Sequence, residues 1–348
     1  MKRPEGGITG KERYSRQTLF APVGEGGQLK IMKKHVLLLG AGALGSANAE
    51  ALTRAGVGKL TIVDRDYVET SNLQRQQMYT ERDVAEKLPK AEAAKRHLLD
   101  INHEVEVNAI IMDATAQNLE QLLGDVDLIL DATDNFETRM IINDLSQKLH
   151  IPWIYGACVG SVGMTLTILP GQTPCLHCLL KAIPIQGMTC DTGGIISPAV
   201  TMVVAHQTAE ALKILVEDWE SVRPALVSFD LWRNQYQTVK LTKAKKRDCL
   251  SCGEQRTYPF LTMENATKTA VLCGRDTVQV RPPKPLELQL EKLAKDLDGS
   301  GYLVKFNPFL LSCEKAGERI VIFKDGRALI HGTKDMVHAK AAYQSILG

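Results

Sequence analysis

No stretch of this 348-residue chain runs apolar for the roughly 18 residues that a membrane helix requires, so no span is expected. Charge of one sign is missing as well. Against 42 basic residues stand 40 acidic ones, a formal +2, which leaves no strong field for nucleic acid or an anionic membrane surface. The N-terminus, Met1-Lys-Arg-Pro-Glu-Gly-Gly, holds no apolar signal core, and a cytoplasmic location is the expectation. Internal repeats and low-complexity tracts are absent too, which excludes repeat architectures. What remains is a globular composition of 44% apolar and 24% charged residues, with length for one large domain and a small one.

Cysteine is not scarce: there are eight. In a reducing compartment they read as metal ligands or reactive thiols rather than disulfides. Cys175-x-x-Cys178 and Cys249-x-x-Cys252 have the spacing of a four-cysteine zinc site. Four thiolates leave zinc no open position, so its role would be structural. Redox Cys-x-x-Cys pairs are the rival, but neither sits where a thioredoxin-like unit would place it. His177 reads as a spacer. Cys190 stands apart in a glycine-rich loop, where a reactive thiol and an inert one both remain open. Cys158, Cys273 and Cys313 lie in apolar, strand-like contexts and read as packing residues.

The chain is organised around His35 to Arg75. An apolar strand enters Gly40-Ala-Gly42-Ala-Leu-Gly45 and a helix leaves it, ending at Gly56, a natural helix terminator. Gly40 permits the tight turn, Gly42 lets phosphate approach the backbone, and Gly45 lets helix and strand pack closely. The free N–H groups at the helix start favour an anion. Asp64 closes the next strand, near the offset of a ribose-binding acid. These features point to a nucleotide without separating ATP from NAD.

Ser71-Asn72-Leu73-Gln74-Arg75-Gln76 favours nucleotidyl transfer, in which charge gathers on the departing phosphates and arginine supplies a permanent cation. Taken alone, the segment reads more often as a solvated polar loop. Lys90 could add a second cation, although a lone lysine is more often a surface residue. Asp131 and Asp134 follow a buried strand, where ligands of parallel sheets bind. A carboxylate there suits Mg²⁺; the plainer reading is that Asp134-Asn135 caps the next helix.

The pass along the chain alternates strands and helices up to about residue 169. It gives a mostly parallel sheet with helices on both faces. Ser197 is read as the N-cap of a long helix running to about Val216. Two antiparallel strands follow, at about 225–230 and 236–241. Tyr258-Pro259 reads as a linker into a small α+β module, with strands at 277–281, 302–305, 319–323 and 327–331 and helices at about 285–297 and 335–346. The expected domains are residues 1–257 and 258–348.

Together these residues resemble the MoeB/ThiF/HesA family, bacterial relatives of ubiquitin-activating enzymes. The resemblance rests on Arg13-Tyr-Ser-Arg16-Gln, Gly40 to Gly45, Asp64-Arg-Asp66, Ser71 to Arg75, Pro89-Lys90, Asp131 to Asn135, both cysteine pairs and Met188-Thr-Cys190, all in family order. It covers roughly residues 10 to 255. It implies a Rossmann-like α/β fold with an antiparallel extension, and an adenylyltransferase that uses ATP and Mg²⁺. Its substrate would be the C-terminal Gly-Gly tail of a ubiquitin-like sulfur carrier, of the molybdopterin or the thiamin type. The activated tail would then become a thiocarboxylate through a sulfur donor protein. The resemblance further implies that Asp64, with Asp66 nearby, serves the ribose side, and that Asn72, Arg75 and Lys90 bind phosphate. Asp134, with Asn135 beside it, would hold Mg²⁺. Arg16 would reach the partner's ATP site in a homodimer, and Cys190 would bond sulfur or the carrier in some members.

The tail from 258 departs from the family pattern. It is too short for a rhodanese domain, shows no such active-site loop, and its role is not readable. An NAD-dependent oxidoreductase, resting on the glycine motif alone, leaves Asn72, Arg75 and the cysteine pairs without use. A non-enzymatic zinc-stabilised interaction protein leaves the whole set of polar motif residues without use.

Overall fold

In the computed structural model, residues 10–179, 193–241, 243–262, 269–271, 276–282 and 285–347 are described. Cys190 and Cys273 lie outside them. The first unit is an eight-stranded sheet ordered β3-β2-β1-β4-β5-β6-β7-β8. Its strands are β1 His35–Leu39, β2 Lys59–Asp64, β3 Glu106–Ile111, β4 Leu128–Asp131, β5 Trp153–Val159, β6 Val162–Ile168, β7 Ala225–Asp230 and β8 Gln235–Lys240. The first five pair in parallel. The last three extend the sheet antiparallel.

The parallel part needs cover on both faces, and the alternating side chains of β1 show how it is supplied. Val36 and Leu38 pack with Ala49 and Leu52 of the helix Ala43–Ala55, and with Ala94 and Leu98 of the helix Lys90–Ile101. Leu37 and Leu39 turn to Met140, Ile141 and Leu145 of the helix Phe136–Leu149. Every β1 residue is therefore buried. Each fully buried Leu contributes roughly 1.5–3 kcal/mol.

The second unit is a six-stranded antiparallel sheet ordered β11-β12-β13-β14-β10-β9. Its strands are β9 Thr269–Val271, β10 Thr277–Val280, β11 Leu303–Phe306, β12 Leu310–Lys315, β13 Glu318–Phe323 and β14 Ala328–His331. The helices Leu290–Gly299 and Met336–Leu347 cover one face.

Several expectations shift. β12 had no bounds among the strands read from sequence. Ser197 is the first residue of the helix Ser197–Leu215, with Ile196 at the cap position and no side-chain cap bond. Pro198, fixed near helical φ, sits just inside that start. Tyr258-Pro259 is no free linker: Pro259–Thr262 is a helical turn. There the Phe260 N–H donates to Asp144 at 2.9 Å, and Phe260 and Leu261 pack on the first unit's core. Among the described residues, no helix is long and apolar enough to cross a membrane.

Candidate active site

Strand order reverses between β1 and β4, and in such sheets the crevice at the strand C-termini takes the ligand. Leu39 of β1 lies level with Val63 of β2 and with Asp131 of β4. A cleft of about 530 Å³ opens there. It brings together Gly40, Gly42, Asp64, Asp66, Arg75, Lys90, Asp134 and Asn135, all of them expected from sequence.

The glycines divide as the motif requires. Gly40 has φ +92°, and a Cβ there would meet the Ala132 carbonyl. A Cβ at Gly45 would collide with the Gly40 carbonyl oxygen. At Gly42 the nearest neighbour would be Gln76 Nε2 at 3.8 Å, so this side of the loop is open to a ligand.

Asp64 builds the loop as well as facing the cleft. Its two oxygens accept the Ala41 and Asp66 N–H groups, each at 2.6 Å. Burial pushes its carboxyl above the usual range; Lys90 opposes that rise and Asp66 adds to it. Lys90 is no surface lysine: it is buried, with Nζ 3.2 Å from Asp66 Oδ2. Tyr79 fixes the geometry by donating to the Ala41 carbonyl at 2.7 Å and the Lys90 carbonyl at 3.1 Å.

Asp131 is committed internally, to Arg139 at 2.9 Å and to Thr133. Asn135 caps its helix by accepting from Glu137 and Thr138 N–H. Asp134 is an exposed residue lining the cleft. The Arg75 guanidinium holds the Ser71 carbonyl of its own loop at 2.9 Å.

Other expected residues fall elsewhere. Asn72 is fully buried and does not line the cleft; its Oδ1 accepts the Glu69 N–H at 3.0 Å, which shapes the loop that presents Arg75. Ser71 and Gln74 are exposed, and Leu73 packs on the core. Arg16 is exposed and away from the cleft. Its neighbours anchor the arm: Tyr14 OH accepts from Asn102 at 2.8 Å, and Gln17 donates to Gln28 and to the Ala55 carbonyl.

Gln76, the last residue of the Ser71–Gln76 segment, lines the same cleft, as do Arg65 and Asp113, to which sequence reasoning gave no role. Arg65 pairs with Asp113 at 3.3 Å. Burial opposes its charge, but Asp113, Asp66, Asp134 and Asp64 outweigh burial and hold the guanidinium protonated. Asp113 follows β3 at the same sheet edge, a position the strand-end rule could have flagged. At the far end the cleft turns apolar, with Val159, Val162, Met164 and Ile195.

Away from the cleft, Cys175, Cys178, Cys249 and Cys252 are buried, with their sulfurs all within 4.8 Å of one another. Separations of 3.4 to 3.9 Å match the edge of about 3.8 Å that a tetrahedron with Zn–S near 2.3 Å requires. The donor set could hold a metal. His177 is turned away, bonded to Ser251 Oγ at 2.8 Å with its ring against Phe260.

A crossover sheet, an open glycine turn, a strand-end acid and clustered cations at one crevice define a nucleotide-binding α/β protein equipped for phosphate chemistry. The chain belongs to the ThiF family, with residues 14–251 matched. It is 54% identical over 336 residues to the "Sulfur carrier protein ThiS adenylyltransferase" of Bacillus subtilis (strain 168), spanning 97% of this chain and 99% of that protein. An Escherichia coli (strain K12) protein of the same name is 33% identical over 248 residues, 71% of this chain and 97% of its own length. Among solved structures, E. coli MccB with ATP superposes with a TM-score of 0.61 at 22% identity, covering 71% of this chain and 75% of that one; this likeness speaks for the fold.

Proposed function

We propose that this chain uses ATP to adenylate the C-terminal glycine of a small ubiquitin-like sulfur carrier ending in Gly-Gly, of the thiamin-thiazole (ThiS) type. The observation that carries this reading is similarity over nearly the full length, at 54% identity, to an enzyme of that name, joined to a cleft whose residues suit the reaction. Gly42 admits the phosphates, and Asp64 and Asp66 serve the ribose side. Arg75 and Lys90 neutralise phosphate oxygens. The carrier's tail lies toward the apolar end of the cleft. Its carboxylate oxygen attacks the α-phosphorus, the α–β bridging bond breaks, and pyrophosphate leaves with the electron pair. Mg²⁺, held by Asp134, would neutralise charge on the phosphate oxygens. An NAD-dependent oxidoreductase would leave Arg75 and Lys90 without a task.

The same reading extends to assembly. A homodimer brings Arg16 to the partner's cleft, supported by its exposure and by exposed Leu19, Phe20 and Leu29 on the same arm. Zinc in the four-cysteine cluster ties the segment at 175–178 to that at 249–252. A sulfur donor protein then converts the adenylate to a thiocarboxylate, and Cys190 is the thiol assigned to that stage. Residues 1–257 carry the adenylyltransferase domain, and residues 258–348 form the smaller α+β domain. The enzyme works in the cytoplasm.

Mass spectrometry of a ThiS-type carrier incubated with the enzyme, ATP and Mg²⁺ tests the reaction. The expected product is a carrier heavier by one adenylyl group, absent when the terminal glycine is deleted. An adduct that forms equally on the truncated carrier would overturn the assignment.

A further inference from the structure

The C-terminal sheet has a second face, and it rests on the cleft. Leu310, Val321, Phe323 and Leu329 form an apolar cluster with Tyr67, from the loop after β2, and Ile111, at the end of β3. Polar contacts rim that cluster. Arg281 Nη1 lies 2.9 Å from Asp113 Oδ2, and Gln279 Nε2 donates to the same oxygen at 2.8 Å. Arg327 donates to the Arg65 carbonyl at 3.1 Å, and Arg319 pairs with Glu69 at 3.0 Å. Asn307 donates to the Glu86 and Lys87 carbonyls.

Two of these partners, Asp113 and Arg65, line one end of the cleft. The strand order β3-β2-β1 puts the glycine turn on β1, Asp64 on the next strand and Asp113 just beyond the third. A nucleotide with phosphates at Gly42 and ribose at Asp64 therefore directs its base toward Met112, Asp113, Ala114 and Arg65. Without the C-terminal sheet, Asp113 and Arg65 would be a rim ion pair, which holds geometry weakly. Arg281 and Gln279 take the second oxygen of Asp113, leaving its first for Arg65. A guanidinium so fixed presents a flat face suited to an aromatic base.

We propose that the C-terminal module is the back wall of the base end of the nucleotide site, with Arg281 and Gln279 as positioning residues acting through Asp113 and Arg65. This rests on the nucleotide reading of the cleft. The module tunes binding rather than performing the chemistry, consistent with the E. coli relative, which bears the same name and matches only 71% of this chain.

Calorimetry on the full-length protein separates the two ends of the site by comparing ATP with inorganic tripolyphosphate, which has no base. Arg281→Ala should weaken ATP by about tenfold, the scale of one lost charge-assisted contact, and leave tripolyphosphate unchanged. Arg281→Lys should recover part of the loss. Gln279→Leu, which keeps the side-chain volume, should repeat the pattern and keeps the test available if Arg281→Ala does not fold. Unchanged ATP affinity, or equal loss of both ligands, overturns the proposal while the nucleotide reading stands. A wild-type protein that binds neither ligand overturns both.

Discussion

Arg75 and the three glycines show how differently single residues act in this cleft. Arg75 has its hydrogen bond within its own loop, so Arg75→Ala should fold normally. Its loss should still lower ATP–pyrophosphate exchange by about 10²–10³, the cost of removing one charge-stabilising donor; melting curves beside exchange assays check both halves. Gly45→Ala should do the reverse. Its Cβ meets backbone, so urea unfolding should show a loss of roughly 1–3 kcal/mol from overpacking. Gly42→Ala should keep stability and weaken nucleotide binding, because its Cβ would enter the space left for phosphate. That Gly40, Gly42, Asp64 and Asp134 lie at the cleft was legible in sequence because strand, turn and helix fix where backbone atoms point. Lys90 became clear only as part of a set of motifs. Asp113 could have been flagged by its strand-end position, but its contacts with Arg281 and Gln279 could not, because those partners lie far along the chain and no local period encodes such a contact. Asn72 was legible as important, but the structure gives it a loop-shaping bond.

At the scale of elements, the N-terminal arm and the cysteine knuckles carry the firmest tests. Tyr14 pins the arm to Asn102 at the end of the helix Lys90–Ile101, Gln17 pins it to the end of the helix Ala43–Ala55, and Arg16 is left outward. If Arg16 serves the partner's site, inactive Arg16→Ala and Arg75→Ala proteins should complement when mixed and re-equilibrated. Half the dimers are then mixed, each with one intact site, and about a quarter of wild-type activity returns. No recovery would place Arg16 outside the site. Freshly reduced protein should hold one zinc per chain. Cys249→Ser should lose it and melt roughly 5–10 °C lower, as a loss of a few kcal/mol gives in a domain of this size. The knuckles were readable because Cys-x-x-Cys spacing is itself a constraint of metal geometry. Strand β12 was read only as the strand-like context of Cys313 and given no bounds: in Leu310-Leu-Ser-Cys-Glu-Lys315 the first four residues are all buried, so strict alternation is lost.

For the whole molecule, the parallel sheet followed from unbroken apolar runs separated by helices. The way the second sheet sits on the first did not, because that contact is made by scattered side chains such as Tyr67 and Phe323. The cleft's proposed task is to activate the carboxylate at the end of a sulfur carrier protein. The most direct measurement is exchange of labelled pyrophosphate into ATP, with and without a ThiS-type carrier. Exchange that appears only with the intact Gly-Gly end is the predicted result. Exchange that proceeds at the same rate with no carrier, or fails with every sulfur carrier of the source organism, would contradict it.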